Sequence, residues 1–302
     1  MDIVIASGKG GTGKTTIATS MALSVPNSVY LDCDVEEPNG HLFLHPDIEK
    51  KETVYRSVPE VNCQLCTYCG ECARLCEYNA LVVLKSQILV FKKMCHSCGV
   101  CSYFCPEKAI YEIDEPIGSC RQGVVKPEYI EFVGGSLAIG EMSAVPLIAH
   151  VKGHSKRHKV NIIDAPPGTA CAMVEAVRDA DYCLLVTEPT PFGLHDLKLA
   201  VNVLGIIGVP FGVVINKVKD EINLIRDYCN SNEIEICMEI PFDRRLAEAY
   251  SKGIPTVKIY PQMRERFRDL IIKIEKSINT ISYTAGDVSQ KKVRESKEII
   301  RD

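Results

Sequence analysis

Short apolar runs that end in glycine or aspartate set the rhythm of the chain. Ile3-Val4-Ile5-Ala6 leads into a glycine-rich turn and then into Ile17 to Leu23, which reads as a helix. Ser28 to Asp32, Val160 to Asp164, Tyr182 to Thr187, Phe211 to Ile215 and Ile234 to Ile240 are further short runs. Continuously apolar stretches of this length read as strands buried on both faces. Helices are expected at Met142–Val151, near Leu194–Leu204, at Arg244–Lys252 and at Met263–Ile278. Such alternation predicts an α/β fold with a doubly wound, mostly parallel sheet.

The rhythm breaks in the first half of the chain. Cys63, Cys66, Cys69, Cys72 and Cys76 come in quick succession, followed by Cys95, Cys98, Cys101 and Cys105-Pro106. A shift of 29 residues, 66 to 95, lays Cys66, Cys69, Cys72 and Cys76 on Cys95, Cys98, Cys101 and Cys105, and Gly70 on Gly99. Two copies of C-x2-C-x2-C-x3-C are the spacing of bacterial two-cluster ferredoxins, in which three close thiolates grip one [4Fe–4S] cube and the fourth serves the other. Cluster one is therefore expected on Cys66, Cys69, Cys72 and Cys105, and cluster two on Cys95, Cys98, Cys101 and Cys76. Zinc competes for closely spaced cysteine pairs, but leaves three cysteines per loop plus a fourth, duplicated, without explanation. Leu81–Leu84 and Ile88–Phe91 read as a hairpin between the copies. These features predict an inserted α+β ferredoxin-like domain. Glu77 stands where the repeat has proline, which costs loop rigidity and leaves ligation intact. Cys63 is surplus and reads as a spare thiol.

Ser7-Gly8-Lys9-Gly10-Gly11-Thr12-Gly13-Lys14-Thr15-Thr16 matches the phosphate loop G-x-x-x-x-G-K-[ST], in the strand–turn–helix context that the motif needs. Gly8, Gly10, Gly11, Thr12, Gly13, Lys14, Thr15 and Thr16 would cradle the phosphates of ATP on backbone N–H groups at a helix start. Lys14 would reach the β- and γ-phosphates, and the Thr15 hydroxyl would ligate Mg²⁺. Asp32, Asp34 and Asp164 end apolar strands, where open α/β sheets hold their ligands.

Lys9 is a second lysine inside the loop, and with it G-K-G-G-T-G-K-T-T resembles the deviant P-loop of the MinD, ParA, Mrp and nitrogenase-iron-protein ATPases. The resemblance extends to about residue 280. It implies a homodimer in which Lys9 reaches the partner's nucleotide. It also implies that Asp34 orients the attacking water or contacts the Mg²⁺ shell with Asp32 in support, and that Asp164 acts through the metal's water shell. In Asp164-Ala165-Pro166-Pro167-Gly168, the Gly168 N–H would face the γ-phosphate; Asn216 would meet the adenine edge. Mrp-type carriers hold a further cluster on a late C-x-x-C. Cys171, Cys183, Cys229 and Cys237 form no such pair, so no bridging cluster is assigned.

The chain has 302 residues, 46% of them hydrophobic, with no tryptophan and a net charge of −4. That is ordinary for a folded soluble protein and gives no electrostatic ground for a nucleic-acid partner. No apolar run reaches membrane-spanning length, and the first residues are better read as a strand than as a leader. A cytoplasmic setting is therefore expected, in which 15 cysteines point to cluster ligation rather than disulfides. The segments read as a P-loop ATPase domain over 1–57 and 116–280, a ferredoxin-like insert over 58–115 and a polar tail over 281–302. Short strands near Gly118–Gly123 and Tyr129–Val133 are expected to lead back from the insert. The tail stretch Gln290–Asp302 is too weakly amphipathic for a membrane helix. His150, His154 and His158 read as a frayed helix end rather than a metal site. Two activities fit. One is an ATP-hydrolysing protein that couples nucleotide state to electron transfer or to iron–sulfur/metallocluster maturation, with a redox partner or an apo acceptor. The other is a ferredoxin-type carrier whose P-loop domain is a docking switch with little turnover.

Overall fold

The computed structural model describes residues 1–219 and 223–279; the polar tail expected at 281–302, with Gln290–Asp302, lies outside the described residues. The strands are β1 (Asp2–Ala6), β2 (Val29–Asp32), β3 (Asp47–Val61), β4 (Leu81–Val83), β5 (Ile88–Val90), β6 (Ile110–Val125), β7 (Ile130–Leu137), β8 (Asn161–Asp164), β9 (Tyr182–Thr187), β10 (Phe211–Val218) and β11 (Ile236–Pro241). Among the described residues nine of them form one sheet in the order β11-β10-β9-β1-β8-β2-β7-β6-β3. Neighbours from β11 to β7 are parallel, and β7–β6 and β6–β3 are antiparallel. The fold is thus mixed α/β with a large, mostly parallel sheet, as the hydrophobic pattern predicts.

Each central strand feeds two cores. Ile3 and Ile5 point to the side that holds Ile17, Met21, Tyr30 and Phe267, while Val4 and Ala6 point to the side that holds Leu31, Ile163, Leu147 and Leu185. Both faces are covered by helices, so the strands carry no polar alternation. The helices expected from the sequence lie at Lys14–Ala22, Val145–Lys152, Pro191–Ile207, Arg244–Tyr250 and 263–279. No helix among the described residues is long and apolar enough to cross a membrane.

The largest departure from the sequence reading is at the β3 edge of the sheet. Instead of short strands near Gly118–Gly123, β6 runs unbroken from Ile110 to Val125 and pairs along β3, with Asp47 opposite Val124 and Val61 opposite Ile110. Both strands run through positions 57/58 and 115/116. β3 is hard to recognise because it begins Asp-Ile-Glu-Lys-Lys-Glu, and charged side chains on an edge strand suppress both strand propensity and hydrophobic alternation.

The far end of this ladder carries the cysteine-rich segment: the β4–β5 hairpin and the helical turns Glu71–Leu75 and Val100–Tyr103. Its buried core is Val58, Cys72, Ala80, Leu81, Cys95, Cys101 and Ile110. Arg56 fastens this segment down. The residue is 4% exposed; its Nη2 lies 3.0 Å from Glu141 Oε1 and donates to Lys92 O at 3.0 Å, while Nη1 donates to Cys95 O. The Glu141 side chain is itself only 6% exposed, so Arg56→Met strands an unpaired charge. Denaturant unfolding should show a loss of about 3–5 kcal/mol, the usual cost of breaking a buried pair from one side. A loss under ~1 kcal/mol would mean that the pair is not needed to hold the segment.

Candidate functional site

The phosphate loop leaves the carboxyl end of β1 at the centre of the sheet. Gly13 caps the helix Lys14–Ala22 with φ 99°, and a Cβ there would collide with the Asn216 side-chain amide, so the position demands glycine twice over. Gly10, Gly11, Gly13, Lys14, Thr15, Thr16, Asp34, Pro167 and Asn216 line one cleft of about 330 Å³. Its far wall is apolar: Ile240, Pro241, Phe242, Leu246 and Tyr250. The sequence reading missed this wall. Its signal is the spacing of Phe242, Leu246 and Tyr250, four residues apart around the start of the helix that follows β11. A polar floor that carries Lys14 and the loop's N–H groups, with an apolar wall, suits a molecule with phosphates at one end and a flat ring at the other.

Of the three carboxylates, Asp34 lines this cleft, and Asp32 and Asp164 lie buried close to it. Asp32 and Asp164 lie level in the β2–β8 register, both fully buried. Asp32 Oδ2 accepts from the Gly40 N–H at 2.9 Å and so anchors the helix Gly40–Leu44. Tyr30 donates its hydroxyl to Asp164 Oδ2 at 3.0 Å. Among the described residues, Asp32 Oδ1, Asp164 Oδ1 and Thr12 Oγ1 are buried without a hydrogen-bond partner. Burial pushes the Asp164 carboxyl up, against the pull of the Thr15 hydroxyl and the Lys14 ammonium. Burial, then repulsion from Asp164, raises Asp32 well above the usual carboxylate range, and the same two causes carry Asp34 to about 7. The orphaned carboxylate oxygen of Asp164, beside the Thr15 hydroxyl, is the start of a donor set for a hard divalent cation such as Mg²⁺ and its waters.

Lys9 lies on the other side of the loop. Its Nζ sits 2.5 Å from Glu188 Oε1, while Lys217 Nζ contacts Glu188 Oε2 at 3.2 Å and Gly11 O at 2.8 Å. Burial pushes the Glu188 carboxyl up, and the two lysines more than offset it, so it ends below the usual range. Neither Glu188 nor Lys217 is predicted from the sequence, because no motif marks them and strand packing alone brings them to the loop. Asn216 Nδ2 donates to Thr12 O at 2.8 Å, which leaves one amide hydrogen for a ligand. Gly168 N–H donates to Ser7 O at 3.0 Å, a bond that must be exchanged before it can face a phosphate. Gly8 packs against the backbone of Asp196 outside the cleft.

The cysteine repeat is also a repeat in space. Tyr68 and Ser97 both take positive φ and donate their N–H groups to Cys66 Sγ and Cys95 Sγ at 3.4 Å. Ala80 and Ala109 donate to Cys76 Sγ and Cys105 Sγ at 3.3 Å. Cys66, Cys69, Cys72 and Cys105 line one cavity. Cys76, Cys95, Cys98 and Cys101 line another, beside the stacked rings of Tyr78 and His96. Four sulfurs per cavity, with backbone N–H groups already aimed at some of them, fit an iron–sulfur cluster. Burial raises the Cys72 and Cys95 thiols and pushes Cys101 to about 11, so these sulfurs keep their protons at neutral pH until a cation claims them. Cys63 is exposed and lines neither cavity.

Residues 3–257 match the CbiA family, described as the CobQ/CobB/MinD/ParA nucleotide binding domain. An uncharacterized protein of Methanocaldococcus jannaschii is 32% identical over 287 residues, covering 92% of this chain and 98% of that one. An iron-sulfur cluster carrier protein of Pyrococcus abyssi is 25% identical over 278 residues, covering 84% of this chain and 78% of its own. The septum site-determining protein MinD of Pyrococcus horikoshii, solved in complex with Mg-ADP, has the same fold. It aligns with a TM-score of 0.55 at 18% identity, covering 91% of this chain and 96% of that chain.

The crowded carboxylates generate a prediction. Their folded pKa values are raised, so the folded chain binds more protons than the unfolded one and loses stability as pH rises toward those values. Asp164→Asn removes one charge from the group. It should raise the melting temperature of the nucleotide-free protein at pH 8 by several degrees and abolish the further rise that Mg²⁺ with nucleotide gives. A fall in the nucleotide-free melting temperature would contradict the repulsion argument.

Proposed function

Because the chain belongs to the CobQ/CobB/MinD/ParA nucleotide-binding family of P-loop ATPases, we propose that it hydrolyses ATP as a homodimer. Its nucleotide state would control a ferredoxin-like domain at about 58–115 that holds two [4Fe–4S] clusters, within an ATPase domain over 1–57 and 116–280. The output is electron delivery to a redox partner, or iron–sulfur or metallocluster maturation on an apo acceptor. The observation that carries the reading is the connection between the sites. Asp34 belongs to the cleft, Asp32 holds the first N–H of the helix Gly40–Leu44, and β3 starts at Asp47 and runs to the cysteine segment.

Lys14 would neutralise charge on the transferred γ-phosphoryl, and Thr15 and Asp164 would hold Mg²⁺ and its water shell. Asp34 in its ionised form would orient the attacking water. Lys9, paired with Glu188 in the single chain, would exchange that carboxylate for the partner's nucleotide on dimerisation. Asn216 and the Phe242 wall would seat the base. Cys66, Cys69, Cys72 and Cys105 would hold one cluster and Cys95, Cys98, Cys101 and Cys76 the other, which supply one-electron carriers when bound. The cluster-carrier relative supports the iron–sulfur reading.

An anaerobic EPR redox titration with MgADP and then with a non-hydrolysable ATP analogue tests the coupling. The expected result is a shift of about 60 mV or more, about 1.4 kcal/mol for one electron, that disappears in Lys14→Ala. Identical potentials in both nucleotides, with normal steady-state ATPase activity, would overturn it; identical potentials with no turnover would favour the docking switch. The Asp34 carboxyl, raised to about 7 mainly by burial, gives a second expectation. kcat/KM for ATP should rise about tenfold per pH unit below 7 and level off above it, and Asp34→Asn should flatten that limb. An unchanged pH limb in Asp34→Asn would remove Asp34 from the role.

A further inference from the structure

Away from the cleft and the cysteine repeat, the fold brings together three side chains that are distant in sequence. Cys120 lies fully buried in the middle of β6, His150 lies in the last turn of the helix Val145–Lys152, and His154 follows just beyond its end. One ligating atom from each lies within 4.8 Å of the other two. His154 stays close because the chain keeps turning past Gly153: Gly153 N–H donates to Ala149 O and His154 N–H to Val151 O. By sequence these histidines read as a frayed helix end; the structure makes His150 and His154 one side of a cluster, without His158.

We propose that Cys120, His150 and His154 form a mononuclear site for a divalent cation of the zinc class, separate from the P-loop magnesium and from both cysteine cavities. One thiolate and two imidazoles are a borderline-soft set that suits zinc and offers nothing to magnesium, which takes oxygen ligands. One sulfur is too few for a third cube. The surrounding groups are those that orient metal-bound histidines. His150 Nε2 lies 3.1 Å from Glu52 Oε1, and Glu52 stands directly across the β3–β6 ladder from Cys120. His154 Nδ1 lies 3.1 Å from His150 O and so carries the ring proton, which leaves Nε2 with the lone pair; it accepts from the Gln122 amide at 3.2 Å, a bond that a cation would replace. Each ring thus has one nitrogen engaged by an acceptor. Three protein ligands leave a fourth position for water or an exogenous ligand. The ion would pin β6, which returns from the cysteine segment, to the helix that precedes β8 and Asp164.

The test uses full-length protein, purified anaerobically with its iron and sulfide counted, and titrated with CoCl2 followed by ZnCl2. One equivalent of Co²⁺ per chain should give a difference spectrum with tetrahedral d–d bands and a thiolate-to-cobalt charge-transfer band, both removed by Zn²⁺. His150→Gln/His154→Gln should lose the spectrum at unchanged iron content. Cys120→Ser should lose the charge-transfer band, and Glu52→Gln should weaken binding about 10–100-fold. No Co²⁺ difference spectrum in the wild type, or an undiminished one in the histidine double variant, would overturn the site. Iron content reports separately on the cysteine cavities, so failure there is not confused with failure here.

Discussion

β3 and β6 lie antiparallel over the length of both strands, and that ladder joins the main sheet to the cysteine segment. β6 is also bonded to β7, which neighbours β2, so the ladder continues the sheet that carries Asp32. The pairing is continuous but not uniform, with register shifts between Ile48 and Lys50 and between Val54 and Tyr55. β3 is an edge strand, and its early Glu49, Lys50, Lys51 and Glu52 discourage a second chain from adding to it.

At the other end of that connection, charges are held close under conditions that favour neutrality. Asp32, Asp34 and Asp164 crowd beneath a loop whose near cation is Lys14, and the cost appears as carboxyls raised by burial and mutual repulsion. Lys9 and Lys217 instead share Glu188 and are well paired. The loop therefore has a satisfied flank and an unsatisfied one. The unsatisfied flank faces the cleft, where a magnesium ion would relieve the repulsion and polyphosphate would meet Lys14.

The cysteine segment is limited by size. Three of the seven side chains in its apolar core cluster are cysteines, and the remaining aliphatic core is small. Such a core gives little stability by itself. Arg56, bonded at once to Glu141 and to backbone carbonyls on either side of Met94, adds a polar anchor where apolar area is scarce. Ligation of the cysteines would add to the same balance, since metal-binding free energy is folding free energy in small domains.

What could be read from the sequence is what consecutive residues encode. The G-x-x-x-x-G-K-T run fixes a strand, a turn and a helix start by backbone geometry alone, and the cysteine spacing states a ligand count before any fold is known. The alternation of apolar runs gives the sheet because burial on both faces leaves a local signature. The long β3–β6 pairing left only a fragment of one, near Gly118–Gly123 in β6, since its stabilising contacts lie across the ladder and the charged residues of β3 disguise it. The same holds for Glu188 between Lys9 and Lys217, for the Phe242 wall, and for Cys120 opposite His150 and His154. Those neighbours are brought together by strand order and register, which depend on the packing of the whole sheet, so only the tertiary structure decided them.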